Sequence, residues 1–257
     1  MSKFRIIVEN QLKKIKEDAH ADRANLLLAL DTYEEVLQKL SEQLDPKKDY
    51  CDSDDEVAVD LTTKFGYLRV YFSFDKDEED TDSNGIYWRS GPTIVINLYN
   101  LLDLEKYISK RGVDPYTYEE NVIYLTGESF LKLAKTGNCQ NTFIHEFQHF
   151  LDDKNKQFLQ KSAASFIGKP KEEWYWNSPH EKNAHYLAWL AKIASKSFNK
   201  YKKGLKDLTP EQRLDFLKNE WKNDEDFVSY YNELNDKSKK RFMSRLYSYL
   251  STDFWNK

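Results

Sequence analysis

The sequence predicts an α+β fold in which helices and strands occupy separate stretches of the chain. Apolar residues recur at helical spacing over residues 3–44, alternate with polar residues between residues 56 and 101, and return to helical spacing from about residue 129 onward. This order differs from the strand–helix alternation of a parallel α/β sheet. We therefore divide the chain into an N-terminal helical segment (1–45), a central core (46–198) and a C-terminal helical subdomain (199–257).

The N-terminal segment is predicted to form one long helix or two, ended by Asp45-Pro46. Its apolar positions alternate in steps of four and three residues, which also fits a coiled-coil arm. A helix packed along its own domain is the other interpretation. The positions that carry the pattern are Val8, Leu12, Ile15, Ala19, Leu26, Ala29, Tyr33, Val36 and Leu40.

The central core begins with short strands. Leu68, Val70, Phe72 and Phe74 alternate with polar or less apolar residues, as in a strand with one buried face. Three further stretches read as strands and one as a short helix. The strands are Gly85–Trp88, Thr93–Leu98 and Val122–Leu125, and the helix is Leu102–Ile108.

Composition excludes several classes of function. The 257 residues carry 39 Lys and Arg against 43 Asp and Glu, a formal net charge of -4, so no polyanion-binding surface is expected and nucleic acid is not a predicted partner. The longest aliphatic run, Leu26–Leu30, is far short of the roughly 20 residues that span a bilayer. The N-terminus lacks the apolar core of a signal peptide. With only two cysteines, the chain is expected to be cytoplasmic.

The strongest chemical signal is the pattern His145-Glu146-Phe147-Gln148-His149. Histidines four residues apart lie on one face of a helix, so two imidazole nitrogens can reach one zinc ion. The glutamate between them is placed to take a proton from water activated by that zinc. The sequence therefore predicts a zinc site at His145 and His149, with Glu146 as the general base.

The surroundings of this motif favour a helix that lines a cleft. Apolar residues at positions 143, 144, 147, 150 and 151 form one stripe of the helix, and the two histidines lie on the opposite side. Asn141 is the predicted N-cap, which would place the motif in the first turn or two. The alternative is a surface helix whose polar face holds two histidines without a metal.

A catalytic zinc site needs a third protein ligand from another element, because Asp152 lies about 10 Å along the helix from His145. Glu181, which follows His149 by 32 residues, opens a second helix and is the predicted ligand. Two alternatives remain. Glu181 can serve only to cap its helix, since Ser178-x-x-Glu181 matches a capping box, or His180 or His185 can coordinate instead.

Two further residues have predicted roles in catalysis. His185 lies one turn beyond Glu181 and can orient a ligand or donate to the developing oxyanion. Tyr175, in the aromatic run that precedes the second helix, can line the cleft and donate a hydrogen bond to a tetrahedral intermediate. Both residues also have an ordinary interpretation as packing side chains.

These motifs resemble the zincins, and among them gluzincin-like metallopeptidases whose HExxH helix is followed by a helix bearing Glu-x-x-Ala-(Asp/Asn). The second pattern is matched by Glu181 and Ala184, whereas His185 stands where the family has Asp or Asn. Phage-encoded HExxH proteins are similar in the residues around this motif. The resemblance implies a zincin-like small mixed sheet packed on the HExxH helix, and an edge strand that pairs with extended substrate. Thr93–Leu98 is the expected edge strand.

We expect from this resemblance a zinc-dependent peptidase that acts on a protein or peptide substrate. The alternative is a non-catalytic structural or interaction protein on a zincin scaffold, such as a component of a phage particle. The N-terminal and C-terminal helices are the expected surfaces for a protein partner. Amphipathic spacing in residues 201–257 also fits packing within the chain.

Overall fold

The computed structural model describes residues 3–50, 57–74, 84–103, 106–107, 123–155, 177–201 and 208–251. The described chain is mixed α+β and contains helices and a small mixed sheet, as the sequence predicts. It separates into two compact units. We refer to Ala29–Asn155 as the sheet unit and to Met1–Leu28 with Lys156–Lys257 as the helical unit. The division into domains 1–45, 46–198 and 199–257 stays a prediction.

The chain begins with helix α1, which runs without interruption from Lys3 to Gln43. The part of α1 in the sheet unit buries Ala29, Tyr33, Val36 and Leu40, which are four positions of the predicted apolar stripe. Their burial favours a helix packed on its own domain over a free coiled-coil arm for this stretch. The side chains of residues 3–20 lie outside the described part.

The sheet unit holds a four-stranded sheet and a two-stranded sheet. The strands are β1 (Asp49–Tyr50), β2 (Ala58–Thr63), β3 (Gly66–Ser73), β4 (Gly85–Trp88), β5 (Thr93–Asn97) and β6 (Leu125–Thr126). Their order in the larger sheet is β2-β3-β5-β4, with β3 parallel to β5 and the other neighbours antiparallel. Strand β1 pairs with β6. Gly66, with φ of 114°, supplies the left-handed residue of the β2–β3 hairpin.

The strand predictions for residues 68–74, 85–88 and 93–98 are confirmed in outline. Of the predicted strand Val122–Leu125, Val122 lies outside the described residues, and the strand assigned among the described ones is Leu125–Thr126, which pairs with β1. The prediction that Thr93–Leu98 forms an edge strand is wrong. Thr93–Asn97 lies between β3 and β4, and in the described part of the sheet the edge next to it is β4. Its nearly continuous burial is typical of a central strand, whereas β4 alternates between half-buried and exposed.

The remaining helices of the sheet unit are α2 (Leu98–Leu101), α3 (Gly127–Ala134) and α4 (Gly137–Lys154). Asn97 caps α2, which ends at Leu101. Of the predicted helix Leu102–Ile108, residues 106–107 are helical, and residues 104, 105 and 108 lie outside the described residues. Helices α3 and α4 bury aromatic rings under the sheet. Phe130 of α3 packs edge-on against Phe72 of β3, with ring centroids 5.2 Å apart.

A buried contact also joins α1 to α4. The Tyr33 hydroxyl donates to the Ala134 carbonyl at 2.5 Å and lies 3.1 Å from Cys139 Sγ. Burial raises the pKa of Tyr33 and raises the pKa of the Cys139 thiol to about 12, so both groups stay protonated near neutral pH. Cys139 therefore serves packing and does not supply a thiolate.

The helical unit contains α5 (Pro179–Tyr201), α6 (Pro210–Asn223), α7 (Glu225–Glu233) and α8 (Asp236–Ser251). This confirms helical structure in the described residues of the C-terminal region. Helix α6 starts with a complete capping box, in which Thr209 and Gln212 satisfy each other's backbone N–H groups. Helices α5, α7 and α8 share an aromatic cluster that includes Trp189, Phe227 and Phe242. No helix in the described residues is long and apolar enough to cross a membrane.

Candidate metal centre

The HExxH motif lies in the middle of α4 and not in its first turns. Thr136 is the N-cap, since its hydroxyl accepts from the backbone N–H of Cys139. The prediction that Asn141 is the N-cap is therefore wrong, because Asn141 lies inside the helix. The motif begins about two turns after the start of α4, so it has regular helical turns on both sides. This position gives the two histidines a rigid support.

The two histidines of α4 converge on one point. His145 Nε2 and His149 Nε2 are 3.2 Å apart, and their rings meet edge-on with centroids separated by 4.9 Å. Two nitrogens that bind one tetrahedral zinc at about 2.05 Å lie about 3.3 Å apart. Both side chains are half-buried, as a cleft requires. The observed pair therefore fits a shared metal ion, in addition to the hydrogen bond that a neutral pair can form.

Glu146 is buried against strand β4. The residue is 6 % exposed, and the point where Gly85 would carry a Cβ lies 3.2 Å from Glu146 Cγ. The same point lies 2.5 Å from Thr142 Cγ2 and 3.0 Å from the Val95 carbonyl oxygen. A side chain at position 85 would thus collide with α4. Only glycine lets the strand approach the helix this closely.

Strand β4 is tied to α4 at a second place, two turns further along the helix. The Tyr87 hydroxyl donates to Asp153 Oδ2 at 3.2 Å, and Arg89 Nε lies 2.7 Å from Asp153 Oδ1. Burial and the neighbouring Asp153 carboxylate raise the pKa of Tyr87, so its hydroxyl keeps its proton. The ring of Tyr87 also packs edge-on against Phe150. Strand β4 is therefore held along α4 beside Glu146.

We expect Gly85→Ala to lower the stability of the sheet unit by about 1–3 kcal/mol, the usual cost of overpacking. Gly91→Ala is the matched control, because a Cβ there meets no atom within 4 Å. The midpoint of urea unfolding measures both changes. Adding Thr142→Ser to Gly85→Ala should recover part of the loss, since it removes the colliding methyl group. Equal midpoints for Gly85→Ala and Gly91→Ala would contradict the packing argument.

Asp152 takes a structural role on the same helix. It is buried and accepts a hydrogen bond of 2.7 Å from Gln148 Nε2, one turn earlier. A hydrogen bond donated by an amide satisfies a carboxylate that burial would otherwise destabilise. The expectation that Asp152 does not complete a site with both histidines stays a prediction.

Glu181 lies in the first turn of α5, in the helical unit. Its backbone N–H donates to Ser178 Oγ at 3.1 Å, so Ser178 caps the helix as the sequence predicts. Glu181 is buried, with a side chain that is 10 % exposed, and one carboxylate oxygen lies 3.9 Å from His185 Nε2. The ring of His185 stacks on Tyr230 of α7. Burial, and then the charge of Glu181, raise the pKa of Tyr230.

The ligand chemistry of these side chains suits a metal ion. His145 in the sheet unit, and Glu181 and His185 in the helical unit, each offer a nitrogen or oxygen atom of a type that binds metal ions. His180 is half-buried in the first turn of α5. Tyr175, a predicted catalytic residue, lies outside the described residues.

Two residues, Gly85 and Tyr230, were assigned no functional role from the sequence. Gly85 could have been found, because an isolated glycine inside a strand pattern marks a close approach of another element. Tyr230 carried no such signal, since it belongs to an amphipathic stretch that reads as ordinary packing.

Comparison with known proteins yields no family for this chain. No family model matches the sequence, and neither the curated proteins nor the solved structures contain a match. The geometry of the side chains described above therefore carries the functional argument.

Proposed function

We propose that this chain is a zinc-dependent peptidase in which His145, His149 and Glu181 hold the metal. The observation that carries the proposal is the 3.2 Å separation of the two imidazole nitrogens on α4, which suits one tetrahedral ion. Burial of Glu146 directly after the first of these histidines supports it. Glu181 is assigned as third ligand from its position in the sequence and from its buried carboxylate.

Zinc, when held by these residues, would supply Lewis-acid chemistry: a more nucleophilic water near neutral pH and a polarised scissile carbonyl. Glu146 performs the proton transfers. It accepts a proton from the attacking water and returns a proton to the leaving amine, so that the carboxylate is regenerated in each turnover. No residue of the chain needs to form a covalent bond with the substrate.

We place the substrate along strand β4, in an extended conformation. Strand β4 replaces Thr93–Asn97 as the edge strand of the proposal, because it lies at the edge of the described sheet and passes beside Glu146. Its outward side chains, Ile86 and Trp88, are 48 % and 52 % exposed. Extended peptides commonly add to a sheet edge and present alternate side chains to such residues. In this proposal, the sheet unit resembles a zincin because a small mixed sheet packs on the HExxH helix and its edge strand pairs with extended substrate.

The proposed function is tested by the cleavage of a denatured, fluorophore-labelled protein by the purified chain. We expect slow hydrolysis that a zinc chelator stops and that added zinc restores. Cleavage that survives complete removal of the metal would overturn the assignment.

A further inference from the structure

The first turns of α5, which carry Glu181, are fastened by side chains of α7 and α8. Lys182 Nζ donates to Ser238 Oγ at 3.2 Å, and Arg245 donates to Asn183 Oδ1 at 2.8 Å. The Arg245 guanidinium also lies 4.2 Å from the ring centroid of Tyr186. These contacts come from residues that follow Glu181 by more than 50 positions in the chain. The C-terminal helices therefore fix the rotation of the turn on which Glu181 sits.

A further contact, from α7, reaches Glu181 through a single intermediate side chain. The rings of His185 and Tyr230 stack with centroids 3.9 Å apart and an angle of 22° between their planes. This stack holds the imidazole plane, and His185 Nε2 then lies 3.9 Å from Glu181 Oε2. Tyr230 is itself buried in the helical unit. An aromatic pair of this kind is stabilised beyond its buried area, which favours one ring orientation.

We propose that Tyr230 is a positioning residue for the metal centre, acting through His185 on the carboxylate of Glu181. The inference rests on the proposed function, since it needs Glu181 to be a ligand. It assigns a role to α7 beyond packing: the aromatic ring fixes His185, and His185 orders the carboxylate before zinc arrives. Residues that orient ligands in this way commonly change metal affinity by 10–100-fold when they are replaced.

The test is the zinc dissociation constant, measured by competition with a chromogenic chelator. We expect Tyr230→Leu, which removes the stack, to weaken zinc binding by about 10–100-fold. Tyr230→Phe keeps the ring and should stay within about threefold of wild type. Phe227→Leu is the matched control, because Phe227 lies one turn earlier on α7 and stacks on Trp189 of α5 in the same manner, at 4.1 Å. It should lower the melting temperature and leave zinc affinity unchanged.

A variant of the intermediate residue keeps the test informative if Tyr230→Leu does not fold. His185 is partly exposed, so His185→Gln should be tolerated and should weaken zinc binding to a similar degree. In the His185→Gln background, Tyr230→Leu should cause no further loss. A wild-type zinc affinity in Tyr230→Leu, or an equal loss of affinity in Phe227→Leu, would overturn the proposal.

Glu181→Ala separates this inference from the proposed function. If Glu181→Ala binds zinc as tightly as wild type, the ligand assignment fails and the role of Tyr230 fails with it. If Glu181→Ala loses zinc while Tyr230→Leu and His185→Gln keep it, the ligand assignment stands and only the positioning role is wrong.

Discussion

Replacing Glu146 with glutamine is expected to lower the rate of peptide hydrolysis by about 10²–10⁴-fold, the usual contribution of a general base. The amide has nearly the shape of the carboxylate, so it fits the space beside Gly85 but cannot accept the proton of the attacking water. Cleavage of a labelled, denatured protein measures the effect. Zinc content should remain at the wild-type level, because Glu146 is not a proposed ligand.

Glu128→Gln is the control for this experiment. Glu128 lies in the first turn of α3 and is exposed, so its neutralisation should leave the rate unchanged. The experiment also addresses the alternative function, a non-catalytic structural or interaction protein. If Glu146→Gln keeps every activity of the wild type while zinc is bound, catalysis is not what the centre does.

Glu181→Ala is expected to weaken zinc binding by more than about 100-fold, since it removes a direct ligand and not merely a residue that orients one. Ser178→Ala should behave differently. It removes the acceptor of the Glu181 N–H bond and should cost about 1 kcal/mol of stability, with zinc affinity unchanged. Zinc titration and the melting temperature, measured side by side, report both effects.

The contrast between these two variants decides what Glu181 does. Similar small losses of stability with full zinc occupancy in both would show that Glu181 only caps α5. The third ligand would then be sought at His185 or His180, the alternatives that the sequence leaves open. A zinc loss confined to Glu181→Ala would support the ligand assignment.

The pairing of His145 with His149 was predictable because it depends only on helix periodicity. Residues four apart on a helix are neighbours whatever the rest of the chain does. The strands were predictable for a similar reason, since alternation in Leu68–Phe74 shows which side chains are buried. Local patterns of this kind survive folding because the hydrophobic face of each element must be covered.

The order of strands in the sheet was not predictable from periodicity. Thr93–Asn97 and Gly85–Trp88 both read as strands, and nothing in either pattern states which has a neighbour on both sides. The clue was compositional: the run Ile94–Ile96 is apolar on both faces, as in a central strand, whereas β4 exposes Ile86 and Trp88. Analogy with a family placed the edge at the wrong strand.

Contacts between residues far apart in the chain were also not predictable from the sequence. Tyr230 is 49 positions from Glu181, and its stack on His185 depends on how α5 and α7 cross. Helix crossing angles follow from the surface shape of both helices, which no single stretch of sequence contains. The N-cap of α4 was missed for a simpler reason: both Thr136 and Asn141 are good caps, and the helix begins at the earlier one.

The most direct test of the metal centre is the zinc content of the full chain, purified without chelators and measured by elemental analysis. We predict about one zinc per chain in the wild type, and its loss in both His145→Ala and His149→Ala, because each removes one of two converging imidazoles. His180→Ala, a change at another half-buried histidine, should retain the metal if Glu181 is the third ligand. A wild-type protein without stoichiometric zinc, or a zinc content that survives both His145→Ala and His149→Ala, would contradict the account.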